Sequence, residues 1–300
     1  MGQQKFAAVF QKLSISHPVF LGSGATSQVY AIGNGRVIRL MGQDARAYSE
    51  RLARFYAELT GYDFPYALPH IEEIGAVETT SYIIERHLPG FDMSTVFPKL
   101  DAEQRRAALR SFLAGLAPIW EVALPEAAFG ELLGWKDGIV SETWPDFLRQ
   151  RTLVNLPESL PYLRQDVPDI ERLVADFLER VAQLPNPEKR LVHGDYFFGN
   201  VMCDEVGALT AVFDFSPLTL VGDPWFDIAG ALSFLRVYDF VTEADIAFAE
   251  QEINGRYGSN PERMALYTTY NCLYFANSKE WDPPTYRWCL YHLERYPFLT

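Results

Sequence analysis

The sequence predicts an α+β fold of two unequal lobes: a small N-terminal β-sheet lobe with one main helix, then a larger, mostly helical lobe. Three observations predict it. Residues 20–40 and 81–88 read as strands around a hairpin turn, whereas the chain after residue 101 reads as mainly helical outside 191–214, with helix caps and helical apolar spacing. Between them, residues 88–91 (Leu-Pro-Gly-Phe) break both patterns. Residues 1–88 and 89–300 are therefore the expected lobes, joined by that linker.

In chain order, Phe20 to Tyr30 alternates into a glycine turn (Gly22-Ser23-Gly24-Ala25-Thr26-Ser27) and out again. Asn34-Gly35 then predicts a tight hairpin into Arg36-Val37-Ile38-Arg39-Leu40. A helix is expected over 43–60, and a buried strand over Ser81-Tyr82-Ile83-Ile84-Glu85. Asp101 with Gln104 has the form of a capping box, and Pro118 should kink or end the helix it opens. Trp144-Pro145-Asp146-Phe147-Leu148 predicts the start of another short helix. The spacing of Ile170, Leu173, Val174, Phe177, Leu178 and Val181 predicts an amphipathic helix. Thr242 and Pro261 look like helix starts, and the aromatic stripes of 261–278 and 283–296 read as helix packing.

Chemistry concentrates in residues 191–214. A strand end, Leu191-Val192, delivers Asp195 onto a loop; Asn200 follows five residues on, and Val201-Met202 starts a strand. A second strand, 209–213, brings Asp214 out at its end. One edge thus presents a carboxylate, an amide and a second carboxylate. Phosphoryl transfer uses that set: Asp195 to orient and deprotonate a hydroxyl, Asn200 and Asp214 to hold Mg²⁺ on phosphates. The glycine turn suits backbone N–H groups that approach phosphate oxygens.

His193-Gly194-Asp195 with Asn200, then Val212-Phe213-Asp214-Phe215-Ser216, then Gly222-Asp223-Pro224-Trp225-Phe226-Asp227 resemble the signature of the aminoglycoside phosphotransferase family. The resemblance implies a protein-kinase-like fold with ATP or GTP as co-substrate. Within the family, Tyr82, Ile84, Arg86, Gly90, Thr143-Trp144 and Asp146-Phe147 are most similar to hygromycin phosphotransferases. It implies that Gly22, Ser23, Gly24 and Ser27 cover the nucleotide phosphates. No lysine occurs between Lys12 and Lys99, so Arg39 stands where kinases carry the phosphate-anchoring lysine. An acid of helix 43–60 should orient it, Glu50 in preference to Glu58. Ile84 would be the gatekeeper, with Glu85 and His87 offering main-chain groups to the base. His193, Asp223 and Asp227 would brace the catalytic loop.

Composition is that of an ordinary globular chain: 48% hydrophobic and 22% charged residues. A net charge of −13 argues against nucleic acid as a partner. No apolar run reaches membrane-spanning length and no secretory signal opens the chain, so a cytoplasmic protein, monomeric or weakly dimeric, is expected. Three widely spaced cysteines and five histidines give neither a disulfide framework nor a zinc cluster. From residue 191 to 255 there are eleven acids and one basic residue, Arg236. Either this is a solvated acidic surface or it draws cations toward a cleft. On the second reading the acceptor is a cationic small molecule, with Asp239, Glu280 and Asp282 as contacts and Trp281 as a wall. A metabolic hydroxyl compound (choline-, homoserine- or sugar-like) or a macrolide is the alternative acceptor. A nucleotide-binding pseudokinase is the reading of a different class.

Overall fold

The structure is a computed structural model and describes residues 6–24, 27–42, 45–134 and 138–298. Ala25, Thr26 and Gln43 of the predicted segments lie outside these residues. A short helix α1 (Ala7–Lys12) precedes an antiparallel sheet of β1 (Val19–Ser23), β2 (Ser27–Gly33), β3 (Arg36–Gly42), β4 (Ile71–Val77) and β5 (Thr80–Arg86), in the order β1-β2-β3-β5-β4. The β2–β3 turn uses positive φ at both Asn34 (53°) and Gly35 (64°), the backbone that matches strand twist in a two-residue hairpin. Helix α2 (Arg46–Leu59) crosses from β3 to β4.

Period-two alternation gives the sheet two buried faces. Tyr30, Ile38, Leu40, Tyr82 and Ile84 pack with Val9 and Phe10 of α1. Met41 and Ile83 pack instead with Tyr48, Leu52, Phe55 and Tyr56 of α2, in a core that continues through the rest of the chain. Phe215 sits 5.2 Å from Phe55, ring centre to ring centre, and so joins α2 to the loop after Asp214.

Beyond residue 90 come β6 (Phe91–Asp92), α3 (Met93–Val96), α4 (Ala102–Ala114) and α5 (Leu116–Trp120). The Asp101–Gln104 capping box is formed. Gly115 separates α4 from α5, and Pro118 falls in the first turn of α5, where its missing N–H leaves no bond unmade. Next are β7 (Phe129–Glu131), β8 (Val140–Ser141), α6 (Trp144–Asp166) and α7 (Ile170–Val181). Helix α6 is not short: it runs 23 residues through Pro157 and Pro161. Its inner face (Phe147, Leu148, Arg151, Thr152, Ser159, Leu163) is buried, so tertiary packing offsets the hydrogen bonds the prolines remove.

Then β9 (Arg190–Val192), β10 (Val201–Cys203), β11 (Leu209–Val212) and β12 (Leu220–Gly222) lead to α8 (Trp225–Ser233), α9 (Glu243–Tyr257), α10 (Pro261–Phe275) and α11 (Pro283–Leu293). Thr242 caps α9 and Pro261 is the first residue of α10, both as expected, with Asn260 supplying the α10 cap. β11 and β9 belong to two small sheets, β11-β10-β6 and β8-β7-β12-β9, and a His193–Phe213 hydrogen bond joins the chain just past their ends. No helix among the described residues is long and apolar enough to cross a membrane.

Candidate active site

The loop from His193 to Asn200 leaves β9 and enters β10 through a single 3₁₀ turn at Phe198–Asn200. Gly194 has φ +80°, and a Cβ there would lie 1.8 Å from the Leu218 carbonyl oxygen, so only glycine fits. Asp227, in the first turn of α8, accepts the His193 and Gly194 N–H groups, each at 2.8 Å. Burial pushes the Asp227 carboxyl up to about 7 against those two hydrogen bonds, so it braces the loop at an electrostatic cost.

His193 is fully buried and pushed down to about 4 by desolvation. As a neutral ring it donates from Nε2 to the Phe213 carbonyl (2.9 Å) and accepts the Asp195 N–H at Nδ1 (3.3 Å). One imidazole thus ties the Asp195 loop to the residue before Asp214. Its folded-state value lies below that of an unfolded histidine. Its contribution to stability is therefore present above about pH 6.5 and lost as pH falls toward 4. The gap in unfolding free energy between wild type and His193→Asn should narrow by about 3 kcal/mol from pH 7 to pH 4. A gap that does not change with pH would mean that the folded ring protonates freely.

Asn200 Nδ2 donates to Asp195 at both the carboxylate (2.9 Å) and the main-chain carbonyl (2.7 Å). Burial and then the charge of Asp214 push Asp195 up to about 7, with Asn200 opposing. Asp214 itself takes positive φ (63°) and leaves its side chain 41% exposed at the edge. With Nδ2 spent on Asp195, Asn200 retains Oδ1; that oxygen and the Asp214 carboxylate line the same cleft and could serve as a hard, oxygen-only pair. Mg²⁺ suits such a pair, since it is commonly held by one or two protein groups plus phosphates and water. No cluster of three or more His, Cys, Asp or Glu among the described residues competes for a metal.

Above this edge lies a cleft of about 510 Å³. Gly22, Ser23, Gly24, Ser27, Arg39, Glu85 and His87 line it together with Asp195, Asn200 and Asp214, and Val29, Val37 and Met202 add apolar walls. Arg39 donates from Nη1 to Asp214 (3.1 Å) and from Nη2 to Glu85 (3.3 Å). Burial works against its charge, but Glu85 and then Asp214 more than offset that, and its pKa is raised.

Several expected placements differ. Glu50 does not reach Arg39: it pairs with Arg46 one turn earlier on the exposed side of α2, and Glu58 is exposed as well. Ile84 faces α1, away from the cleft, because alternation along β5 turns Ile83 toward α2 and Glu85 into the cleft. Ile84 is therefore not placed as a gatekeeper. The His87 N–H is spent on the Gly35 carbonyl (2.8 Å), which leaves none for a base. Glu85 enters the cleft with its side chain.

Asp223 does not touch the catalytic loop. It accepts the Trp225 N–H and the Tyr267 hydroxyl (2.7 Å) and pairs with Arg263 (3.0 Å), so it fastens α8 to α10. Of the acceptor contacts, Asp282 caps α11 through Thr285, Asp239 and Glu280 are exposed, and Trp281 is 67% exposed. None of the four lines the cleft. Tyr238, which the sequence reading missed, stacks on Phe198 of the catalytic loop at 5.6 Å between ring centres, and burial and then Asp92 push its hydroxyl up. Tyr274 of α10 packs instead against Arg151, whose guanidinium lies 4.9 Å from its ring centre, as a packing stripe would.

Residues 18–267 of the chain match the phosphotransferase enzyme family. No curated protein matches by sequence. Among solved structures, the fold is similar to ADP-bound aminoglycoside phosphotransferase APH(2'')-Ib, with 13% identity, 99% of this chain and 98% of that one covered, and a TM-score of 0.63. It is also similar to APH(2'')-IIIa in complex with GDP and kanamycin (15% identity, 97% and 98% covered, TM-score 0.62). APH(3'')-Id from Streptomyces rimosus is a further likeness, with 14% identity, 97% and 98% covered, and a TM-score of 0.60.

Proposed function

The chain belongs to the phosphotransferase enzyme family, and from that premise we propose that it moves the γ-phosphoryl group of ATP or GTP to a hydroxyl of a small cationic molecule, an aminoglycoside or aminocyclitol. The observation that carries this reading is the meeting of Asp195, Asn200, Asp214 and Arg39 at the floor of one cleft under the glycine turn. The solved structures of similar fold include ADP, GDP and kanamycin complexes, which supports a nucleotide in that cleft and such an acceptor beside it.

In this mechanism Asp195 orients the acceptor hydroxyl and takes its proton late in a loose transition state. Its raised pKa fits a base that must not hold its charge too tightly. Asn200 both steadies Asp195 and, with Asp214, would hold Mg²⁺, which neutralises charge on the phosphates. Arg39 would grip those phosphates with a planar fork. The lobes divide at 88 and 89, and the acceptor enters beside the catalytic loop and Tyr238, drawn by the exposed acids Asp239 and Glu280. We place the enzyme in the cytoplasm, as a monomer or weak dimer.

The test is turnover by the purified protein on an acceptor panel with mass detection of a product gaining one phosphate. Hygromycin B leads the panel, followed by other aminoglycosides, choline, homoserine, sugars and a macrolide. Phosphorylation of a cationic aminocyclitol is the expected result. A neutral preferred acceptor would refute the cationic site, and nucleotide binding without transfer to any acceptor would favour a pseudokinase.

A further inference from the structure

We propose that Glu85 is the positioning residue of Arg39: the carboxylate that aims the phosphate-binding guanidinium is delivered by the sheet and not by α2. The inference rests on the proposed phosphotransferase function and specifies how its phosphate site is held.

The β3–β5 register sets Val37 opposite Glu85 and Arg39 opposite Ile83. All four side chains therefore share the cleft face, and Glu85 is the diagonal neighbour of Arg39, within reach of two long side chains. The pair is sheltered: Glu85 is 7% and Arg39 15% exposed, so salt screens it little. Helix α2 offers no rival. Its buried face is Tyr48, Ser49, Leu52, Phe55, Tyr56 and Leu59, without an acid, and Glu50 is 48% exposed on Arg46.

The two carboxylates on Arg39 use different nitrogens. Glu85 holds Nη2 from inside the sheet, whereas Asp214 holds Nη1 from a half-exposed loop end. An incoming phosphate can replace Asp214 at Nη1 while Nη2 stays on Glu85, so the rigid guanidinium keeps its aim as its outer partner changes. A strand register fixes this anchor, and no rotation or shift of α2 is needed to make or break it.

The experiment is a double-mutant cycle on Mg-ATP affinity, read by calorimetry without acceptor, alongside each variant's melting temperature. Glu85→Gln should weaken binding about tenfold, the effect of losing one charge-assisted hydrogen bond on the phosphate grip. In an Arg39→Ala background the same change should cost less than about twofold, because Glu85 acts only through Arg39. A merely structural role would lower affinity by the same factor in both backgrounds, following the melting temperature, and would overturn the proposal. Glu50→Gln should shift affinity less than about twofold; a loss equal to that of Glu85→Gln would return the role to α2. If Glu85→Gln does not fold, Glu85→Asp, which keeps the charge on a shorter stem, enters the same cycle and should lose less than about threefold, all of it dependent on Arg39. Wild-type protein that fails to bind Mg-ATP overturns the phosphotransferase reading as well, whereas normal wild-type binding with an unaltered Glu85→Gln overturns this inference alone.

Discussion

Asp195→Asn is expected to lower kcat by about 100- to 10,000-fold, the range that a positioned general base contributes, with Mg-nucleotide affinity nearly unchanged. The separation follows from geometry. Asp195 touches Asn200 and the loop, but not Arg39, which faces the other carboxylate. An amide of the same size can still receive Asn200 Nδ2 at its oxygen, so the loop should keep its shape while the proton acceptor is lost. Single-turnover kinetics with bound nucleotide measure the chemical step directly. Activity within a few-fold of wild type would remove Asp195 from the role of base and leave the hydroxyl to be activated by position alone.

Asp214→Ala should act on the other side of the same reaction, abolishing Mg-dependent nucleotide binding together with turnover. Two losses combine. The oxygen pair with Asn200 is broken, and Arg39 loses its Nη1 partner and keeps only Glu85. Even the outer supports of a metal ligand are worth roughly 10- to 100-fold in affinity, so removing a ligand itself should cost at least that. Titrating Mg²⁺ at fixed nucleotide, by calorimetry, separates the two losses, because the Arg39 effect persists without metal. A variant that binds Mg-nucleotide as the wild type does would place the ion elsewhere.

The meeting of Asp195, Asn200 and Asp214 was legible because it is local: Asn200 lies five residues on from Asp195, and two short strands carry the chain on to Asp214. The partner of Arg39 was not, because motif spacing pointed to a helix while the answer lay in strand pairing. The sequence did hold a signal. Tyr48, Leu52, Phe55, Tyr56 and Leu59 trace the inner face of α2, and Glu50 and Glu58 both fall off it. Alternation along residues 82–85 likewise separates Ile84 from Glu85, but only once the sheet is known to be covered on both faces. The length of α6 was hidden by Pro157 and Pro161, whose local cost is outweighed by contacts with distant helices. Asp223 and Asp227 look alike in sequence, four residues apart, and only the direction of α8 decides which one meets the loop.

The thiols offer a way to watch this molecule open. Cys203, Cys272 and Cys289 are all free and buried, one in β10 beside the catalytic loop and two in the packed pair α10 and α11. Burial, with Asp204 and Asp92 behind it, pushes Cys203 up to about 11, and Cys272 is raised by burial and by Cys289. Since only an exposed thiolate reacts, alkylation of the native protein becomes a clock for exposure. Cys203 reports when the strand under the cleft parts from its neighbours, and the helical pair reports when the far core loosens. Comparing the two rates with and without nucleotide would reveal whether ligand tightens only the cleft or the whole chain.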